Sequence, residues 1–225
     1  MSYFAFGLGI GTQSSNGDWL EIYYNAPIMN PSDALISAVA EKLNYEGGDA
    51  AIEICEAQLK DLEAAFLSVD AEDQAEVVEV LKGTQQSMVI TILETDSSPA
   101  STPEVYLKLA LLSHRFVKPH GIDLSGMFGL LPNVAWTNEG AVSLADLPRA
   151  QGRVLDVHSV DKFPKMANYV VPEGVRVAAT SRVRLGAYVG EGTTVMHEGF
   201  INFNAGTMGV SMVEGRISAG VVVGN

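Results

Sequence analysis

The residues best suited to chemistry lie together in one short stretch, residues 196–204. It contains His197, Glu198, Asn202 and Asn204, whose imidazole, carboxylate and carboxamide groups can exchange protons or bind a polar ligand. A structural interpretation is equally open: the asparagines would form hydrogen bonds at corners of the fold, and Glu198 would be a solvated surface residue.

A metal site is the weakest interpretation of this stretch. Zinc chemistry of the carbonic-anhydrase type needs three histidine ligands, and of the four histidines only His197 falls within residues 171–205. His114 and His120 lie upstream, where we expect them to cap or pack a helix. We therefore predict no metal ligands.

The elements that must position these side chains form a six-residue repeat. An aliphatic residue returns at every sixth position of residues 171–205, and a small or compact residue follows four positions after each. The aliphatic positions are Val171, Val177, Val183, Val189, Val195 and Ile201, and the compact ones are Val175, Ser181, Ala187, Thr193, Gly199 and Ala205. Neither an α-helix nor a half-buried strand has this period, whereas solenoid repeats do.

Each six-residue unit is expected to form one face of a triangular coil, with its aliphatic residue inside and its compact residue at the corner. Three units close a coil, and the next coil, 18 residues on, bonds to it as in a parallel sheet. The pattern predicts a left-handed parallel β-helix, an exception to the right-handed crossover rule. We expect this hexapeptide-repeat solenoid to occupy residues 169–225.

The period fails after Ile201, because the next aliphatic start is Ile217, 16 residues on. Residues 206–216 are therefore expected to leave the coil as an excursion, and such loops commonly carry sites. Arg216, at its end, is suited to binding a carboxylate. Three glycines in the excursion would let backbone approach a ligand closely: Gly206, Gly209 and Gly215.

The first part of the chain alternates helix and strand patterns and is expected to form an α/β domain with a connecting segment, residues 1–168. Strands are predicted for residues 3–12, 19–24, 50–55, 87–93 and 154–160, the first two as a hairpin. Helices are predicted for residues 34–43, 57–69, 71–81 and 103–117. The last helix carries Leu109, Leu112 and Phe116 on one apolar stripe, and residues 121–141 are expected to be an ordered, loop-like connection.

The composition limits the partners and the compartment. The 225 residues carry 14 basic and 27 acidic side chains, a net charge of −13, which opposes binding to nucleic acid or to an anionic membrane. No apolar run reaches the roughly 18 residues that a membrane span needs. Cys55 is the single cysteine, which excludes an internal disulfide framework and predicts a reducing, cytoplasmic location.

Linked sequence runs resemble one enzyme family over most of the chain. In the repeat region they are residues 182–188 (RVRLGAY), 192–200 (GTTVMHEGF), 202–207 (NFNAGT) and 212–220 (MVEGRISAG). Upstream they are residues 101–109 (STPEVYLKL), 112–120 (LSHRFVKPH), 131–138 (LPNVAWTN) and 159–166 (SVDKFPKM). These runs resemble the 2,3,4,5-tetrahydropyridine-2,6-dicarboxylate (tetrahydrodipicolinate) N-succinyltransferases of diaminopimelate and lysine biosynthesis.

The resemblance implies a homotrimeric acyltransferase that takes succinyl-CoA as co-substrate, holds no permanent cofactor and succinylates tetrahydrodipicolinate, or 2-amino-6-oxopimelate. It implies sites between neighbouring β-helices of the trimer. The family's catalytic glutamate matches Glu198, and its acyl-donor residues match Phe200, Gly215 and Ser218. Family members continue past Asn225, so we expect much of the pantetheine-binding surface and the C-terminal cap to be missing from this truncated chain.

The implied reaction needs a base, because a protonated amine cannot attack a thioester. Glu198, partly desolvated beside Phe200 and Met196, would have its pKa raised for that task. Attack by the Glu198 carboxylate on the thioester, giving a transient acyl-anhydride, is an open alternative. Backbone N–H groups of residues 206–215 would hold the oxyanion, and Arg184 and Arg216 are the nearest candidates for binding the substrates' carboxylates.

Two other functions are also open. One is a hexapeptide acyltransferase with another acyl-CoA donor, which a donor screen would separate from a succinyltransferase. The other is an inactive structural fragment, in which the α/β domain folds with about three coils and no turnover.

Overall fold

The computed structural model describes residues 3–147 and 154–224, which belong to two compact units. The units are Met1–Leu107 and Lys108–Asn225. The boundary predicted between residues 168 and 169 marks where the repeat begins and stays a prediction. None of the helices in the described ranges combines the length and the apolar run that crossing a bilayer requires.

The first unit is built on an antiparallel sheet with the strand order β2-β1-β5-β4, in which a short strand β3 also pairs with β1. The strands are β1 (Ala5–Gln13), β2 (Trp19–Tyr24), β3 (Ile28–Met29), β4 (Ala50–Ile54) and β5 (Ser87–Leu93). The predicted hairpin and the two further strands are confirmed. Antiparallel pairing throughout makes this unit α+β in its arrangement.

Three helices supply most of the other half of this unit's core: α1 (Asp33–Leu43), α2 (Glu56–Leu67) and α3 (Glu72–Leu81). The start of α1 is fixed by Ser32, whose Oγ accepts the N–H of Leu35 at 3.1 Å. Apolar residues of the helices and of β1 and β5 form one buried cluster, among them Leu8, Leu35, Leu62, Phe66 and Ile90.

Tyr24, at the end of β2, is a buried polar anchor of the same unit. Its hydroxyl lies 2.7 Å from Thr91 Oγ1 and donates to the carbonyl oxygen of Pro103 at 3.0 Å. Burial raises the pKa of Tyr24 far above its usual range, because the phenolate would lose its solvation.

Helix α4 (Thr102–Ser113) starts as predicted, but it ends before the predicted residue 117. Arg115 takes the left-handed conformation (φ 66°), with its N–H donating to Leu112 and the N–H of Phe116 donating to Leu111. These two bonds form a Schellman-type end, which stops the helix well before Pro119. Phe116 is consequently 52% exposed, so its expected place on the apolar stripe was wrong.

The expected loop-like connection over residues 121–141 is wrong. It contains a short helix α5 (Met127–Leu130), the strand β6 (Val134–Thr137) and the start of β7 (Gly140–Ser143). Strand β8 (Val157–Asp161) completes a sheet of order β7-β6-β8, and it begins three residues later than predicted.

Eight two-residue strands follow: β9 (Arg176–Val177), β10 (Tyr188–Val189), β11 (Thr194–Val195), β12 (Phe200–Ile201), β13 (Gly206–Thr207), β14 (Met212–Val213), β15 (Arg216–Ile217) and β16 (Val222–Val223). They form three parallel ladders, β9-β11-β14, β10-β13-β16 and β12-β15. Tyr188 pairs with Gly206 and Thr194 with Met212, each 18 residues apart, so these turns of chain stack at the predicted interval.

The interior of this stack is filled by the predicted aliphatic positions, with one exception. Val183, Val189, Val195 and Ile201 are at most 1% exposed, whereas Val171 is 74% exposed and Val170 is buried in its place. The repeat therefore enters its regular form after Val171.

Residues 206–216 do not leave the coil, so the predicted excursion is wrong. Gly206 and Thr207 pair with β10, and Met212 and Val213 pair with β11. Thr207 occupies the next six-residue position after Ile201 and is fully buried. Its hydroxyl is satisfied inside the stack by Thr193 Oγ1 at 2.7 Å and by the N–H of Gly190 at 3.1 Å.

Candidate active site

Glu198 lies at the corner that joins β11 to β12. The corner is closed by the N–H of Gly199, which donates to the carbonyl oxygen of Met196 at 2.9 Å. The Glu198 side chain is 81% exposed, and its Oε2 accepts a hydrogen bond from Arg182 NH2 at 3.0 Å. The carboxylate is thus presented outward from the coil beside a guanidinium group.

The next coil is two residues shorter at this corner. Val195 and Ile201 are six residues apart, whereas their partners Val213 and Ile217 are four apart. Phe200 therefore pairs with Arg216, only 16 residues on, instead of the 18 found in the other ladders. The shorter corner, formed by Glu214 and Gly215, leaves Glu198 open to its surroundings.

Three arginines follow this corner along the β12-β15 ladder. Val183 bridges to Ile201, which pairs with Ile217, so the preceding residues Arg182, Phe200 and Arg216 succeed one another on adjacent coils. We call Arg182, Arg184, Arg216, Glu198 and Phe200 the arginine face. In a chain with net charge −13, three cations on one ladder form a local anion-binding surface.

Phe200 organises two of the three guanidinium groups. The Arg216 guanidinium carbon lies 4.8 Å from the centre of the Phe200 ring, and that of Arg184 lies 5.7 Å from it, both within cation–π range. Arg216 Nε also donates to Ser218 Oγ at 3.2 Å. Phe200, Arg216 and Ser218, predicted as binding residues, are therefore neighbours.

Arg184 is held more firmly than Arg216. Its NH2 donates to Asp161 Oδ2 at 2.6 Å, its NH1 donates to Asn202 Oδ1 at 3.2 Å, and its guanidinium also lies over the Phe163 ring. Asn202 in turn accepts the N–H of Phe203 at 3.0 Å. Arg184 is a fixed charge, whereas the exposed Arg216 keeps more freedom to meet a ligand.

The three glycines of the predicted excursion have different roles. A Cβ at Gly206 would overlap the carbonyl oxygen of Tyr188, so this glycine serves the approach of backbone to backbone and not of backbone to ligand. Gly215 is different, because a Cβ there would meet nothing within 4 Å and its φ is not positive. No contact of the described chain demands a glycine at position 215, which leaves close approach of a ligand as its use.

Two expectations about the chemistry are wrong. The N–H groups of Gly206 and Met208 bond to Val221 and Val223, so they are not available to hold an oxyanion. Glu198 is not desolvated by Phe200 and Met196, because Met196 is itself 37% exposed and Glu198 stands clear of the coil. Any desolvation of this carboxylate has to come from bound substrate or from another chain.

The histidines have mainly structural surroundings. The N–H of His120 donates to Asn204 Oδ1 at 2.8 Å, and its Nε2 lies 2.8 Å from the carbonyl oxygen of Gly220, which joins it to two coils. His114 stacks on Phe116. His197 is exposed, and residues 3–147 and 154–224 contain no group of three His, Cys, Asp or Glu side chains placed to bind a metal.

Arg182 and Asp161 were missed as members of the site by the sequence analysis. The stacking interval contained a signal for Arg182: it lies one position before Val183, as Phe200 lies one before Ile201, so the two residues share a column. Asp161 lies on β8, outside the repeat, and no spacing within the repeat could have pointed to it.

Comparison with known proteins agrees with this arrangement. Residues 131–165 match the family model described as the middle part of tetrahydrodipicolinate N-succinyltransferase. Two proteins named 2,3,4,5-tetrahydropyridine-2,6-dicarboxylate N-succinyltransferase align with nearly the whole chain. The Pseudomonas putida protein is 56% identical over 98% of this chain and 66% of its own length, and the Vibrio cholerae protein is 55% identical over 100% and 67%.

A solved structure gives the same result. A Campylobacter jejuni protein assigned as a 2,3,4,5-tetrahydropyridine-2-carboxylate N-succinyltransferase superposes with a TM-score of 0.89 at 27% identity, over 99% of this chain and 64% of its own. The chain thus spans about two thirds of the length of the relatives it matches. It belongs to the tetrahydrodipicolinate N-succinyltransferase family.

Proposed function

We propose that the protein transfers the succinyl group of succinyl-CoA to the amine of tetrahydrodipicolinate in its open form, 2-amino-6-oxopimelate, as a step of diaminopimelate and lysine biosynthesis. The observation that carries the proposal is the arginine face, where one outward carboxylate stands among three guanidinium groups. The acceptor brings two carboxylates and one ammonium, and the donor brings one carboxylate, so the charges of the site and of the substrates are complementary.

In this proposal Glu198 is the catalytic residue. Its carboxylate removes one proton from the acceptor's ammonium, and the free amine attacks the thioester carbonyl carbon of succinyl-CoA. A C–N bond forms, the C–S bond breaks, and the CoA thiolate takes the proton held by Glu198. The second proton lost by nitrogen goes to water, so the reaction releases one proton overall.

Phe200, Gly215, Arg216, Ser218 and Arg184 are proposed to bind the substrates. Arg216 and Ser218, which already contact each other, suit the succinyl carboxylate or the thioester end of the donor. Gly215 offers unobstructed backbone beside them. Arg184 is proposed to act as a fixed charge, since Asp161 and Asn202 hold it in place.

The covalent route is a second candidate for the same residue, and the exposure of Glu198 supports it. An outward carboxylate, clear of the coil, is accessible to a thioester and could form an acyl-anhydride with it. Incubation with succinyl-CoA alone, followed by hydroxylamine and mass spectrometry of the peptide that contains Glu198, distinguishes the routes. A hydroxamate at Glu198 supports the anhydride, and its absence with full turnover supports the base.

We also propose that the coils form a left-handed β-helix and that the enzyme is a cytoplasmic homotrimer with sites between neighbouring coils. Three parallel ladders at 18-residue intervals and the absence of desolvation at Glu198 within one chain support this. Light scattering of the protein at its full natural length gives the number of chains, and a trimer mass is expected.

The test of the function is a donor and acceptor screen at the full natural length. Succinyl-CoA with tetrahydrodipicolinate should give the highest kcat/KM, and acetyl-CoA should be poorer because it lacks the carboxylate that Arg216 would bind. Glu198→Gln should remain folded and inactive. Equal rates with acetyl-CoA would favour a hexapeptide acyltransferase of different specificity, and no turnover with any donor would contradict the proposal.

A further inference from the structure

The hydrogen bond between Arg182 and Glu198 differs from those of the other two arginines. Arg184 is held by Asp161 and Asn202, and Arg216 by Ser218 and the Phe200 ring. Among the described residues, Glu198 is the only acidic partner of Arg182, and the side chains of this pair are 42% and 81% exposed.

Stability does not account for this pair. Ion pairs between exposed side chains contribute little to folding. The backbone of this segment is already fixed by the N–H of Arg182 donating to Ala179 and the N–H of Arg184 donating to Ile201. The contact therefore serves the positions of the two charged groups themselves, at the open corner above Glu214 and Gly215.

The chemistry of the acceptor gives the pair a use. In an α-amino acid the nitrogen and the carboxylate share one carbon, so their heavy atoms lie within roughly 4 Å of each other. An ammonium bound to Glu198 therefore brings its own carboxylate to the immediate surroundings of that residue. Arg182 NH2, 3.0 Å from Glu198 Oε2, is the nearest guanidinium group in the described chain to bond with Glu198.

We propose that Arg182 is a specificity-determining residue that binds the carboxylate next to the reacting amine and, before the acceptor arrives, holds Glu198 in place. On binding, the acceptor carboxylate replaces Glu198 on the Arg182 guanidinium, and Glu198 turns to the ammonium. Arg182 keeps one anionic partner in both states, so the exchange leaves no charge unpaired. This inference rests on the proposed function, since it names which substrate group Arg182 recognises.

The test compares ligands that differ in one carboxylate. The acceptor is 2-aminopimelate, and the competing inhibitors are pimelate, which has two carboxylates, and hexanoate, which lacks one of them. The variants are Arg182→Met, Arg182→Lys and a control, Arg176→Met, which removes an exposed arginine of strand β9 outside the arginine face. Succinyl-CoA is saturating, and the protein has its full natural length.

Arg182→Met should raise the KM for 2-aminopimelate and the Ki of pimelate by about 30-fold, and change the Ki of hexanoate by less than about 3-fold. Arg182→Lys should recover part of the loss, and Arg176→Met should match the wild type. Equal losses for pimelate and hexanoate, or a fall in kcat alone, would overturn the inference while leaving the succinyltransferase intact. A wild-type protein that succinylates no acceptor would instead contradict the proposed function.

Discussion

Replacing Gly206 by alanine should open the ladder between β10 and β13. The added Cβ would overlap the carbonyl oxygen of Tyr188 and would lie 2.7 Å from its carbonyl carbon and 3.1 Å from its Cα. Carbon contacts normally settle at about 3.5–4.0 Å. All three atoms are backbone, so no change of rotamer can relieve the clash and the two coils must separate.

The cost follows from the bonds that this separation breaks. The N–H of Tyr188 donates to Ala205 at 2.9 Å, and the N–H of Gly190 donates to Thr207 at 3.0 Å. Each bond contributes about 1 kcal/mol net, and overpacking adds about 1–3 kcal/mol. The variant should therefore lose about 3–5 kcal/mol, a large share of the stability of an ordinary domain.

Hydrogen exchange with mass spectrometry measures this loss locally. Peptides that cover residues 188–207 should exchange much faster in Gly206→Ala, while β5 (Ser87–Leu93) in the first unit provides an internal reference. The matched control is Gly215→Ala, where the new Cβ has open space and stability should change by less than about 0.5 kcal/mol. Unchanged exchange at residues 188–207 in Gly206→Ala would show that the register of this ladder is wrong.

Three other perturbations test the site and the two units. Glu198→Gln should reduce kcat by about 10²–10⁴-fold without changing the melting temperature, since the amide cannot accept the ammonium proton; more than a tenth of the wild-type rate would exclude Glu198 as the base. Val189→Asp should unfold the repeat, because a carboxylate in its interior costs several kcal/mol, and an unchanged circular dichroism melt would contradict this. Burial raises the pKa of Tyr24, so the folded state stays neutral while the unfolded state ionises, and stability present below about pH 10 should fall by about 1.4 kcal/mol per pH unit above it. Tyr24→Phe should remove that alkaline loss in urea titrations followed by exchange in β5.

The sequence predicted the elements whose signals are local. Ser32 marks the start of α1 because its side chain bonds within the next turn, and the alternation of β1 and β2 already contains their pairing. The end of α4 was missed for a related reason. A non-glycine residue, Arg115, adopts the left-handed conformation there, and the residue types that normally mark such an end are absent.

The repeat was predicted in its period but not in its full extent. The six-residue pattern was followed only through aliphatic residues, so Thr207 was not recognised as an interior position. A threonine can occupy it because Thr193 and the N–H of Gly190 supply hydrogen bonds inside the coil. Such partners lie 14 to 17 residues away, beyond any local window.

The candidate site residues fall on one face for a reason that the sequence contained but that was misread. The interval of 16 between Ile201 and Ile217 indicated an excursion, whereas the coil is shortened by two residues and the register is then restored at β15. An insertion would have carried side chains away from the ladder. A shortening removes cover from Glu198 while Phe200 and Arg216 stay stacked, so the carboxylate becomes accessible without displacing the cations beside it.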